Sequence, residues 1–242
     1  MRTSNPALND RVFRSLPSAA TDDIMTVDGT INKTFICLGL AFLTAYWSWG
    51  NPQLMGLYIP LVIVTLIAAI ALSFKPAWSP YLAPAYALGE GVILGSVSSI
   101  FELQFPGIVA KAVFITFAVL LCMLYAYKSK WIVVSDKLRS IISVGIGAIF
   151  LVYLVTFILG LFGVNMSFMH DSSPLSIGIS ILVTGFAAAS LLLDFDFIEN
   201  ASNRRNTPKY MEWYGAFGLL VSLVWLYFEI LRLLSKLQSR NN

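Results

Sequence analysis

Apolar residues in this chain gather into seven long runs separated by short polar punctuation. The runs cover about 31–49, 56–74, 81–101, 108–127, 140–162, 175–198 and 213–236. Each approaches the roughly 20 residues that a helix rising 1.5 Å per residue needs to cross a bilayer. None shows the strict two-residue alternation, in segments of about ten, that marks β-barrel strands. Turn and breaker residues stand between the runs: Asn51-Pro52, Pro76 with Pro80, Pro106-Gly107, Asp171 to Pro174, and Asn203 to Pro208. Such clusters end helices. The pattern predicts an all-α polytopic membrane protein, a bundle of seven transmembrane helices over residues 31–237. A polar tail, residues 1–30, precedes it. The tail is rich in Asp, Arg and Pro rather than apolar, so it reads as a cytosolic segment and not as a signal peptide.

Composition points the same way. Of 242 residues, 57% are hydrophobic and only 12% charged, against about 25% charged in a soluble domain. Aromatic content of 14% is the opposite of a disordered chain. The net charge of +3 is small, so no nucleic acid partner is implied; the partner that composition does imply is the lipid bilayer. The distribution of charge carries more. With the N-terminus inside, twelve Lys and Arg fall on inner segments: Arg2, Arg11, Arg14, Lys33, Lys75, Lys128, Lys130, Lys137, Arg139, Arg204, Arg205 and Lys209. Lys111, Arg232, Lys236 and Arg240 fall outside. Basic residues in short loops mark the cytosolic side, so the N-terminus is expected in the cytosol. The basic C-terminal end is discordant with seven crossings. Aromatic rings mark interfaces at Tyr46, Trp47 and Trp49, at Trp78 and Tyr81, at Tyr125, Tyr127 and Trp131, and at Tyr210, Trp213 and Tyr214.

No catalytic set is present, and the chain is not expected to be an enzyme. The single histidine, His170, stands in an expected outer loop beside Asp171, and one His makes no zinc site. Cys37 and Cys122 sit apart in apolar runs and read as packing residues. No cofactor is expected. The informative residues are acids inside apolar runs, since an ionisable group at membrane depth is expensive and points to function. These are Glu90, Asp194 with Asp196, and Glu229. The remaining acids fall in loops, tails or span ends, where water is expected to solvate them.

Each acid has a plain alternative. Asp194 and Asp196 point about 200° apart on a helix, so one faces the bundle while Asp196 lies toward Glu199 and Asn200. Asp194 reads either as an interior group or as a solvated helix end. Glu229 reads either as an interior group or as a salt-bridge partner of Arg232, three residues on. Glu90 precedes Gly91, Gly95, Ser98 and Ser99. That small face permits close helix packing, or leaves room for water beside a carboxylate. Counted from the span ends, Asp194 lies about 9 Å and Glu229 about 24 Å from the inner boundary.

The seven-run layout, Glu90-Gly-Val-Ile-Leu-Gly95, the stretch Leu191-Leu-Leu-Asp-Phe-Asp-Phe-Ile-Glu199 and Trp225-Leu-Tyr-Phe-Glu-Ile-Leu231 resemble the Bax inhibitor-1/YccA-like family. The resemblance is to its bacterial branch with a longer N-terminal tail, and covers about 31–237. It implies a carboxylate near the end of the sixth span paired with one in the seventh, a proton-sensitive latch on a calcium leak. Those positions are matched by Asp194 and by Glu229, the latter standing where bacterial channel-like members have Asp. The resemblance implies weak calcium ligation by Asp194 and Glu229, with calcium or another cation as the permeant ion, and residence in the bacterial inner membrane. The basic residue that latches the pair from the second span has no counterpart between 56 and 74; Lys75 stands at the span end, and Arg232 is the nearby substitute. A second implied class is a non-conducting regulator, partnered with a membrane protease or a larger membrane complex.

Overall fold

The computed structural model describes residues 24–51, 56, 58–163, 171, 173–204 and 206–241. His170, Arg205 and residues 1–23 of the polar tail lie outside the described residues. Among the described residues, seven α-helices follow the seven apolar runs: α1 Val27–Trp49, α2 Tyr58–Phe74, α3 Ser79–Gln104, α4 Ile108–Lys128, α5 Asp136–Leu161, α6 Pro174–Asn203 and α7 Met211–Asn241. Several starts are written locally. Thr26, Ser135 and Ser173 are N-caps of α1, α5 and α6, each side-chain oxygen accepting from a backbone N–H three residues on. This satisfies one donor that the first turn leaves open. Between α3 and α4, Gly107 takes a left-handed φ of 80°, which glycine adopts without strain. The Glu102 carboxylate accepts from the Gly107 and Val109 N–H groups at the start of α4.

Four helices, α4 to α7, are both long and apolar enough to cross a membrane. α1 and α3, of 23 and 26 residues, have the length but carry more Thr, Ser and Gly; α2 is apolar but has 17 residues. Many large hydrocarbon side chains point outward, including Phe35, Phe42, Ile63, Phe114, Phe150 and Leu182. A soluble protein would place polar groups there.

At the centre runs α7, which packs against α1, α3, α4 and α6. A helix apolar on all sides is stable only when surrounded, and α7 supplies Tyr214, Phe217, Leu220, Leu226 and Leu231 to the core. α2 lies outside against α3, and α5 outside against α6. α1 and α3 meet most closely. A Cβ added at Gly91 would strike the Ala41 carbonyl and the Thr44 hydroxyl; one at Gly95 would strike the Ala45 carbonyl and the Ser48 hydroxyl. The small face beside Glu90 therefore serves helix contact. The two cysteines are free thiols; Cys37 is buried, but Cys122 is exposed on the outer surface of the bundle and is not the packing residue expected of it.

Candidate ion-pathway site

The depth of each acid follows from the register of the helices around α7. On one side, α6 runs antiparallel to it. Ile198 lies against Gly215, 3.3 Å from where a Cβ would stand, and the Lys236 ammonium bonds the Ser176 and Ser180 hydroxyls at 2.8 Å. Asp194 is therefore level with about Leu219 on α7, one turn beyond the Ile198–Gly215 contact. On another side, α3 runs parallel to α7. The Tyr86 and Phe217 rings meet edge-on with centroids 5.0 Å apart, and the Ser98 and Tyr227 hydroxyls bond at 2.6 Å. Glu90 falls between these contacts, near the level of Leu220.

Glu90 and Asp194 thus share one depth on two flanks of the central helix. Both are buried, at 9% and 1% exposure. The same register separates Asp194 from Glu229. They differ in level by roughly ten residues, or about 15 Å of helix rise. The expected Asp194–Glu229 latch, and with it their joint hold on calcium, does not assemble in this arrangement. The two acids were matched by motif, and motif position does not fix depth when the loop between two helices and the helix ends change in length.

Glu229 has partners of its own. Its Oε1 accepts from the Tyr153 hydroxyl at 2.9 Å, from Trp225 Nε1 at 3.3 Å and from Arg232 Nη1 at 3.2 Å. Arg232 also donates to the Tyr153 oxygen at 2.6 Å and lies over that ring, 5.3 Å from its centroid. The salt bridge to Arg232 is the reading of Glu229 that the structure supports. Asp196 bonds Arg139 of α5, while Asn200 donates to its backbone carbonyl at 2.7 Å. The neighbouring Glu199 accepts from the Tyr127 hydroxyl of α4. Asp196 does turn away from Asp194, as helix geometry requires, but toward a buried arginine rather than toward water. Among the described residues no group of three or more His, Cys, Asp or Glu converges to hold a metal ion. An apolar groove of about 670 Å³ opens between α1 and α4, lined by Phe35, Leu94, Val113, Phe117 and Leu220; it contains no carboxylate.

A family model described as Bax inhibitor 1 like matches residues 5–239. The chain belongs to the Bax inhibitor 1-like family. No curated protein matches, and no solved structure does. Membership covers nearly the whole length, so the family assignment and the membrane-spanning helical fold rest on the same residues.

One polar cluster of this Bax inhibitor 1-like chain escaped sequence reasoning. Glu212, in the first turn of α7, was expected to be solvated but is 1% exposed. Its Oε1 accepts from the Thr26 N–H and hydroxyl, each at 2.9 Å. Its Oε2 accepts from Lys33, whose ammonium also lies 5.6 Å from the Trp213 ring centroid. Gly29 is glycine here because a Cβ would overlap the Glu212 carboxylate. The signal was present in outline: Thr26, Gly29 and Lys33 share one face of α1 at spacings of three and four. Nothing local named their partner 179 residues away.

Proposed function

We propose that this protein is a pH-sensitive cation leak, most simply for calcium, in a bacterial inner membrane with its N-terminus in the cytosol. The carrying observation is the shared depth of Glu90 and Asp194 on either flank of α7. A carboxylate buried this deeply is stable when protonated or when a cation stands beside it. Each of the two offers hard oxygen ligands to a cation passing on its own flank of α7, and too few of them to hold it tightly. Proton loss then converts a neutral layer into a cation-attracting one. Glu229, held by Arg232 about ten residues further along α7, lies off that level, and Asp196 turns away from Asp194 toward Arg139.

Calcium flux into proteoliposomes, measured at two pH values, tests the reading. Wild type should conduct with a rate that depends on pH. Glu90→Gln and Asp194→Asn should each flatten that dependence, whereas Asp196→Asn and Glu229→Gln should retain it. A protein that passes no cation at either pH would overturn the proposal.

A different observation favours the second reading, a non-conducting regulator of a membrane protease or larger membrane complex. Three acids, the partly buried Asp196 and the buried Glu212 and Glu229, are engaged by cations of the chain itself, which is what a packed scaffold requires. Absent flux together with normal folding of Glu90→Gln would select it.

A further inference from the structure

The short segment before α1 does more than lead the chain into the bundle. Call the end where it enters the proximal end. Ile24 pairs with Pro208 of the α6–α7 connection in an isolated antiparallel bridge, and the Met25 N–H donates to the Thr207 carbonyl at 2.9 Å. Thr26 follows with its two bonds to Glu212, and Lys33 closes the carboxylate from the other side. The α6–α7 connection is itself anchored. Thr207 bonds the Ala201 carbonyl at 2.8 Å, and Ser79 at the start of α3 bonds the Tyr210 carbonyl at 2.7 Å. A strap of three residues is thus fastened to the entrance of the central helix.

Beneath the strap lies a plug. The Met25 side chain is 1% exposed. Its Cε, Thr30 Cγ2 of α1 and Ile198 Cγ1 of α6 converge on Gly215, at 3.6, 3.0 and 3.3 Å from an added Cβ. Gly215 is one turn short of Leu219, and Ile198 one turn short of Asp194. The plug therefore lies one turn on the proximal side of the level of Asp194, against the same central helix. Beside it the Tyr214 hydroxyl is fully buried and has no hydrogen-bond partner among the described residues. Such an orphan is unfavourable in a sealed core, and admitting water relieves it.

We propose that the Ile24–Thr26 strap, latched by Glu212 and Lys33, is the proximal gate of the cation path along α7. Release of the latch frees Met25 to withdraw from Gly215, and water then reaches Tyr214 and the acid layer beyond. The gate deepens the conduction reading and depends on it for its role in flux, but the movement of the strap is measurable without any flux.

Two variants bracket the latch, in a background with Cys37→Ala and Cys122→Ser. Gly29→Ala drives a methyl into the space of the Glu212 carboxylate with no change of charge, and alanine favours the helix over glycine. It should raise calcium flux at fixed pH about tenfold, the population change that loss of one charge-assisted hydrogen bond brings. Ile24→Cys with Pro208→Cys places thiols on a non-hydrogen-bonded antiparallel pair, whose close Cα spacing lies within disulfide reach. Oxidation should suppress flux, and reduction should restore it. Equal flux from the oxidised and reduced proteins would overturn the gate while leaving the conduction reading intact. Labelling of Thr30→Cys, introduced into each variant, by a small water-soluble thiol reagent gives the independent readout. It should be slow in the locked protein and faster in Gly29→Ala. If wild type conducts nothing, the conduction reading fails, and equal labelling of the two variants would reject the strap as a moving element as well.

Discussion

Lys236 is buried with no ion pair among the described residues. Its ammonium lies between α6 and α7 and bonds two serine hydroxyls and, at 3.5 Å, the Ser176 carbonyl. Taking an ammonium out of water is unfavourable, and hydroxyl groups compensate only in part. Lys236→Met should therefore leave the unfolding midpoint in detergent unchanged or higher, because Ser176 and Ser180 can turn back to carbonyls of their own helix. Ser180→Ala, which removes an acceptor and keeps the charge, should cost about 1 kcal/mol. Arg139 has the opposite asymmetry. It is buried against Asp196, whose side chain is 15% exposed, so Arg139→Met strands a carboxylate and should destabilise by about 3 kcal/mol. Adding Asp196→Leu should recover most of that loss. Additive effects of the two substitutions in equilibrium unfolding would show that the pair is not coupled.

Among the helices, the α1–α3 contact depends on two absent side chains. Gly91 and Gly95 let the α1 backbone approach so closely that the obstructing atoms include carbonyl oxygens of Ala41 and Ala45, which cannot swing aside. Gly91→Ala should push the helices apart and destabilise by about 1–3 kcal/mol, the range for overpacking. Gly147→Ala in α5 meets nothing within 4 Å and should be near neutral in the same unfolding assay. A similar loss at both sites would mean that backbone flexibility, not close approach, sets the glycine requirement. The contact also bears on the burial of Glu90, since packing of the 91/95 face on α1 leaves Tyr86 and Ser98, on either side of Glu90 in sequence, against Phe217 and Tyr227 of α7.

For the whole molecule, orientation is the first question. With Lys236 withdrawn between helices and Arg232 bound to Glu229, the discordant basic end presents fewer free cations than its sequence suggests. The positive-inside argument for a cytosolic proximal end is stronger for it. A cysteine at Arg204 should then be shielded from an impermeant thiol reagent added outside cells, and one at Asp171, exposed near the start of α6, should react. The reverse labelling pattern would invert the bundle and make the strap an outward-facing element.

Seven helices and their order were legible in the sequence because burial in lipid demands long apolar runs and punctuates them with Pro, Gly and Asn. The acids at depth were legible for the same reason: Glu90 and Asp194 stand out against hydrocarbon neighbours. Their grouping was not. Helix periodicity says which face a side chain takes, and spacing from the span ends already placed Asp194 and Glu229 at unequal depths, but neither says which helix lies opposite. Only the tertiary register, set by Ile198 on Gly215, Lys236 on Ser176 and Tyr86 on Phe217, joined Glu90 to the level of Asp194 and left Glu229 with Arg232. Glu212 was the least visible, since an acid in a first helical turn looks solvated until a segment 186 residues earlier folds over it. Local pattern decides what must leave water; long-range packing decides what it meets there.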